Sequence, residues 1–308
     1  MDLTVIVVNW NVGGLLRCCL ASIEANRGDL NLEVIVVDNA SVDDSVQIVK
    51  QEFPWVHLIA SQENLGYTGG NNLGAQEAQG RYLLILNPDT EVVGDALERM
   101  VAYLDEHPTV GGVGPQLLYP DGSVQPSCRR FPRLATAFLE GTPFSRRWFP
   151  NNRFERMYYM ADCPHDRIQA VDWVVGAALM VRRETWNEVG PLDDQFFMYS
   201  EELDWCHRCR GAGWEIHYLP LAQVIHRHKG SAGQIPATTR VRLNRSRVLY
   251  FRKYFGMGWA TVIRFFLMIN YAWILAAETA KWAVGHRREA RRQRMRDYWL
   301  VLKSGLWV

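Results

Sequence analysis

EVIVVDNASVDDS, residues 33–45, runs four apolar residues, Val34 to Val37, straight into Asp38 and then into a turn of Asn, Ala and Ser. With Glu33 before it, this short, unalternating, β-branched run reads as a strand over residues 33–37 buried on both faces, as in parallel sheets. The same design recurs on either side, at residues 4–8, 57–60 and 82–86, and helical patterns lie between, at 14–25, 45–52 and 70–78. The order β-α-β-α-β-α-β predicts a doubly wound α/β unit at the start of the chain.

Composition sets the bounds. The 308 residues are 48% hydrophobic and 22% charged, enough for one large core or two modest ones. A formal net charge of +1 provides no global field towards nucleic acid, which is not an expected partner, although arginine dominates residues 286–296 against one glutamate. MDLTVIVVNW has no basic region before its apolar run, so it reads as a strand and not a signal peptide, which predicts a cytoplasmic protein. Six scattered cysteines fit free thiols, and Cys206 and Cys209 read as two thiols on one helix face.

In doubly wound sheets, ligands bind beyond the carboxyl ends of the strands. Those ends carry Asn9 and Asn11, Asp38 to Ser41, Glu63 and Asn64, and Asn87-Pro88-Asp89. Asn39, Ser41 and Asp43 individually serve well as turn or cap residues; the extra Asn or Asp in each loop predicts a binding crevice. Asp38 is placed to accept the imide N–H of a pyrimidine or to cap a helix. Asp89, with Asn87 as a weaker partner, suits a hard cation bridging a diphosphate. Residues 115–166, rich in Pro, Arg and aromatics, read as long loops over a site or as an acceptor flap, before regular structure resumes at 171–181, 203–210 and 215–219. Glu201, Glu202 and Asp204 follow an aromatic run; mutual repulsion beside apolar surface raises a carboxyl pKa as a general base needs, and the alternative is an acidic first helical turn. His226 and His228, two apart beside Gly and Ser, read equally as metal ligands or as satisfied polar residues.

Taken in order, VIVVNWN (5–11), EVIVVDNASVDDS (33–45), ENLGYTGGNNLGA (63–75), YLLILNPDT (82–90), VDWVVGAALMVRRE (171–184), GPLDDQFFMYSEELDWCHRCRGAGW (190–214) and VIHRHKGS (224–231) resemble the family 2 glycosyltransferases, and within them the bacterial rhamnosyltransferase-like enzymes. The resemblance implies a GT-A fold: an α/β, Rossmann-like mixed or parallel sheet flanked by helices, here with a C-terminal helical extension. It implies that Asn9 and Asp38 contact the pyrimidine nucleoside, and that Asn64, Gly69, Gly70, Asn71 and Asn72 line the donor pocket, together with Asn11, Asn87 and Gly176. Asp89 matches the last acid of the family's DxD metal motif, His226 a further ligand for Mg²⁺ or Mn²⁺, and Glu202 the general base. The chain departs from the family twice: Asn87-Pro88-Asp89 lacks one acid, and Glu at 202 is a methylene longer than the usual Asp, so Glu201 or Asp204 is placed to share its role.

The predicted domains are a catalytic one, residues 1–235, and a helical, membrane-associating one, 236–308. In the latter, the apolar stretch 265–277 is thirteen residues long and interrupted by Asn270, too short to span a bilayer. With Trp259, Trp273 and Trp282 along it and arginines behind, it predicts a helix lying in the plane of an anionic membrane; packing on the catalytic domain or in a homodimer is the alternative. The expected activity is inverting transfer of rhamnose or a related hexose from a dTDP- or UDP-sugar donor to a lipid-linked or cell-surface polysaccharide acceptor, peripheral on the cytoplasmic face of the plasma membrane. The competing reading is a catalytically silent nucleotide-sugar-binding scaffold, against which the acidic cluster at 201–204 weighs.

Overall fold

A computed structural model describes residues 1–227, 236–285 and 288–308. In chain order its elements begin β1 (Leu3–Asn9), α1 (Gly13–Ala25), β2 (Leu32–Asp38), α2 (Ser45–Glu52), β3 (His57–Ala60), α3 (Gly66–Glu77), β4 (Tyr82–Leu86), β5 (Thr90–Val93) and α4 (Ala96–Glu106). There follow β6 (Val110–Leu118), β7 (Val124–Gln125), β8 (Cys128–Arg129), α5 (Leu134–Leu139), α6 (Pro143–Trp148) and α7 (Arg153–Tyr158). The chain continues through β9 (Gln169–Val171), β10 (Trp173–Val174), β11 (Ala178–Arg182), α8 (Arg183–Val189), α9 (Glu201–Gly211) and β12 (Glu215–His226), then α10 (Pro236–Phe255), α11 (Met257–Ala283) and α12 (Arg288–Ser304). Two compact units result: residues 1–131, 163–197 and 201–231, and residues 132–162, 198–200 and 232–308.

The first unit is built on a sheet whose described strands run in the order β3-β2-β1-β4-β11-β6-β12-β5. Burial explains its centre: every residue of β1 and β4 is buried, as unalternating aliphatic runs require. β1 pairs in parallel with β2 and β4, in a register that sets Asn9 opposite Asp38 at one edge. Beyond β4 the sheet turns mixed, since β11 runs antiparallel to β4 and to β6, while β12 runs parallel to β6 and antiparallel to β5. The β12–β5 pairing aligns His226 with Thr90 and so brings the end of β12 beside Asp89.

α3 is seated on β1 by glycine. A Cβ at Gly74 would stand 2.6 Å from Ile6 Cγ2, and one at Gly70 2.7 Å from Val8 Cγ1, distances that real side chains do not tolerate. Gly66 opens the helix at φ +76°, where a Cβ would lie 2.4 Å from the Phe197 carbonyl oxygen. The helix therefore begins four residues before the predicted start at 70.

Three other expectations change. The predicted loop region 115–166 contains the end of β6, the short strands β7 and β8, and α5 to α7, because its Pro and Arg residues initiate and flank short helices: Pro143 sits at the start of α6 behind a Thr142 cap. The strand predicted at 215–219 continues to His226 through an irregularity between Leu219 and Gln223. The thirteen-residue stretch lies inside a 27-residue helix, α11, long and apolar enough to cross a membrane by length and composition. The predicted domain boundary at 235 and His228 fall outside the described residues.

In the second unit α10, α11 and α12 pack against one another. The polar residues that interrupt α11 turn inward to partners: Asn270 Oδ1 accepts from Phe144 N at 3.0 Å, and Glu278 accepts from Arg291 at 2.7 Å and Arg294 at 3.0 Å. Phe266 holds α5 and α6 edge-on through Phe138 and Phe144, with ring centroids 5.0 and 5.8 Å away. Glu140 pairs with Arg247 and accepts from Tyr159.

Candidate active site

The carboxyl edge of β1 and β2 forms one corner. Asn9 Nδ2 donates to Asp38 Oδ2 at 2.9 Å and to Ser41 Oγ at 3.2 Å, and Asp38 Oδ1 accepts from Ser41 N at 2.9 Å. Asp38 is thus both turn residue and edge acceptor, with one lone pair left on each oxygen. Asn11 adopts φ 52° and ties across to the same loop, its backbone N–H on Ser41 Oγ and its Oδ1 on Val42 N. At this corner the side-chain oxygens of Asn9 and Asn39 are buried with no hydrogen-bond partner, and so is that of Asn71 on α3. Buried amide oxygens left unpaired are costly and point to a donor supplied from outside the chain.

The predicted donor-pocket residues of α3 divide between two faces. Asn64 Oδ1 accepts from Gly66 N at 2.9 Å and so shapes the helix entry. Gly70 meets Val8 on the sheet side, and Asn71 Nδ2 donates back to Tyr67 O at 2.8 Å. Gly69 instead lines a cavity of about 350 Å³ with Thr68, Asp194 and Phe197. Asn72 braces that side, donating to Leu192 O and Asp194 Oδ1.

A second corner joins Asp89 and His226. Both are buried, and His226 Nε2 lies 3.4 Å from Asp89 Oδ1. His226 Nδ1 is 2.8 Å from Gln125 Oε1. An amide oxygen only accepts, so Nδ1 carries the hydrogen of that bond and Nε2 is the nitrogen turned to the carboxylate. A ring nitrogen lone pair and a carboxylate repel at this distance unless a proton or a cation lies between them. Asn87 stands beside them as backbone: its N–H donates to Ala177 O, and its carbonyl accepts from Thr90 Oγ1 at 2.6 Å. Among the described residues no group of three His, Cys, Asp or Glu forms a complete metal cage.

The third corner is the first turn of α9. Glu201 is buried and Glu202 partly so, and each has an Oε2 shielded from solvent with no hydrogen-bond partner. Glu202 Oε1 accepts from Gly176 N at 3.3 Å, and a Cβ at residue 176 would press on the Glu202 side chain at 3.1 Å. Burial pushes the Glu202 carboxyl above its ordinary value. Burial, and then the neighbouring charge of Glu202, push Glu201 well above. Asp204 is turned elsewhere, pairing with Arg208 at 2.9 Å, and that arginine also donates to the carbonyls of Val189 and Pro191. Tyr67 links the corners: its hydroxyl donates to Gly176 O at 2.9 Å, and burial followed by the charges of Glu201 and Glu202 holds its proton on.

The sequence reading missed Tyr67, Gln125 and Arg129, whose charge opposes the rise in Glu202. These corners carry two carboxyl groups of raised pKa, a buried Asp–His pair and an edge lined by amides.

A family model described as glycosyl transferase family 2 matches residues 4–167. The chain belongs to this family. An N-acetylglucosaminyl-diphospho-decaprenol L-rhamnosyltransferase of Mycobacterium tuberculosis is 31% identical over 280 residues, covering 86% of this chain and 89% of that protein. A rhamnosyltransferase of Escherichia coli is 27% identical over 216 residues, 65% of this chain and 75% of that protein. Among solved structures, a mannosyltransferase of Pyrobaculum calidifontis in complex with GDP-Man and Mn²⁺ shares the fold at a TM-score of 0.58 and 17% identity, covering 99% of this chain and 87% of that one. The transferase is therefore a rhamnosyltransferase-like family 2 enzyme with a GT-A fold.

Proposed function

We propose that the transferase moves rhamnose, or a related hexose, from a dTDP- or UDP-sugar to a lipid-linked or cell-surface glycan acceptor on the cytoplasmic face of the plasma membrane. The observation that carries the chemistry is the Glu202 carboxylate, buried at its Oε2 without a partner and raised in pKa by that burial. Such a group is poised to take a proton. The names of the mycobacterial and enterobacterial relatives support rhamnose.

In this reading the acceptor hydroxyl gives its proton to Glu202 as its oxygen attacks the anomeric carbon. The bond from that carbon to the diphosphate oxygen breaks in the same displacement, and the configuration inverts. Glu201, held protonated, keeps a second negative charge away from the base. Asn9 and Asp38 receive the pyrimidine, and the unpaired amide oxygens of Asn9, Asn39 and Asn71 take donors from the nucleoside or sugar.

Asp89 Oδ1 and His226 Nε2 would hold a divalent cation, Mn²⁺ or Mg²⁺. Such a cation offsets charge on the departing diphosphate. The solved relative with Mn²⁺ supports this assignment.

Calorimetric titration with dTDP and with UDP, in Mn²⁺ and then in chelator, is the test. Metal-dependent binding of either nucleotide is expected, and the tighter one ranks the donor classes. No binding under any condition would sink the proposal and the nucleotide-sugar-binding scaffold with it, whereas binding without turnover of any sugar donor would favour the silent scaffold. Glu202→Gln is expected to lower kcat by about 10²- to 10⁴-fold with nucleotide binding kept, the usual worth of a positioned base.

A further inference from the structure

The near-zero net charge of the transferase conceals a division. The second compact unit carries 20 Lys and Arg against 6 Asp and Glu, a formal charge of +14, and the first carries 14 against 27, a formal charge of −13. The basic unit also presents an inverted helix. On α11 the exposed residues are apolar except Thr279 and Lys281. Val262, Phe265, Ile269 and Trp273 recur at three- and four-residue steps and are each about half exposed or more. The polar side chains Arg264, Asn270 and Glu278 face partners instead: Arg264 donates to Gly305 O and stacks on Trp307, while Asn270 and Glu278 bond Phe144 and Arg291.

Two neighbouring elements extend this character. Arg288, Arg292 and Arg296 recur every fourth residue on α12 and are exposed, followed by exposed Trp299, Leu300 and Lys303. At the end of α6, Arg146, Arg147, Trp148 and Phe149 are all exposed. α6 adjoins α11 through Phe144, which packs on Phe266 and on Phe149.

We infer that the outward face of α11, flanked by the Arg146–Phe149 tip and the arginine stripe of α12, is an interfacial binding surface for an anionic lipid bilayer, with α11 lying in the membrane plane. The inference rests on the membrane location proposed above and names the surface, the lipid chemistry and the orientation. Apolar side chains enter the acyl boundary while guanidinium groups meet phosphate headgroups, and tryptophan suits the level between. A second copy seated through the same face is a poor occupant, because two +14 units repel. Spanning is disfavoured although α11 is long enough, since it would carry the Arg291 and Arg294 partners of Glu278 towards hydrocarbon.

Vesicle flotation of the full chain tests this. Binding is expected to phosphatidylcholine vesicles containing phosphatidylglycerol, to fall steeply with salt, and to be near background on phosphatidylcholine alone. Phe265→Glu with Ile269→Glu should abolish it, and Arg288→Gln, Arg292→Gln and Arg296→Gln together should weaken partitioning by roughly fivefold per residue. Melting followed by circular dichroism establishes that each variant is folded. Alkaline carbonate is expected to strip the bound protein. Retention after carbonate, equal binding to neutral vesicles, or full binding by folded Phe265→Glu/Ile269→Glu protein would overturn the inference, as would a dimer in light scattering that this variant dissolves. Nucleotide titration of the unsubstituted protein separates the two readings: no flotation with nucleotide binding intact removes this surface and leaves the donor site, and flotation without nucleotide binding removes the donor site and leaves this surface.

Discussion

Burial sets the protonation of Glu201 and Glu202 before any ligand arrives. Glu201 has its native pKa raised well above its ordinary 4.5. The stability it contributes is complete below that ordinary value and is lost as pH rises through the raised one. Glu201→Gln stays neutral at every pH, so it should stabilise the protein at about pH 8 and change little at about pH 4, as urea unfolding at the two pH values will show. Its pH–rate acid limb should stay in place, because a protonated glutamate and a glutamine present the same absence of charge to Glu202. Gln125 makes a separate claim. If it aims His226 Nε2 at Asp89, Gln125→Ala should weaken Mn²⁺-dependent nucleotide binding by about 10- to 100-fold and leave binding in chelator unchanged. Gln125→Glu, which still accepts from Nδ1, should retain the affinity. Asn9, Asp38 and Asp89 were legible in the sequence because strand ends are marked by the apolar runs before them. Gln125 was not, since the two residues of β7 have no period to detect and their meaning comes from a partner at position 226.

At the scale of elements, packing of α3 on β1 depends on the absence of side chains. Gly74→Val would drive atoms into Ile6, and a loss of about 1–3 kcal/mol in urea unfolding is expected for such overpacking. The contrast is Gly14 in α1, where a Cβ would meet nothing within 4 Å. Gly14→Ala should stabilise by roughly 0.5–1 kcal/mol through helix propensity alone. The first four strands and α1 and α2 were readable to within a residue because aliphatic runs and helical periods alternate there without interruption. α3 was read short because its glycines look like a loop until the sheet beneath them is known. α11 was read short for the opposite reason: Arg264, Asn270 and Glu278 break an apolar count, yet each is satisfied by a neighbour distant in sequence, and a linear window cannot see that compensation.

For the whole molecule, a net charge of +1 is the sum of two large opposite numbers, and the sum hides the physics. Of the 20 basic residues in the basic unit, 15 lie in residues 232–308 and are legible along the chain; the fold adds the 5 of residues 132–162 to them. A surface field reaches about one Debye length, about 8 Å at 0.15 M salt and about 30 Å at 0.01 M, so a charged matrix touching one unit responds mainly to that unit. The transferase should therefore be retained at about pH 7 by a cation exchanger through its basic unit and by an anion exchanger through its acidic one, where a protein of evenly mixed charge and the same net value passes through both. Replacing Arg288, Arg292 and Arg296 by Gln should lower the salt needed to elute from the cation exchanger and leave the anion-exchange elution nearly unchanged. Passage through both columns, or an equal shift on both after that substitution, would mean that the two charges screen one another within the molecule, and the basic unit would then have no field with which to find an anionic surface.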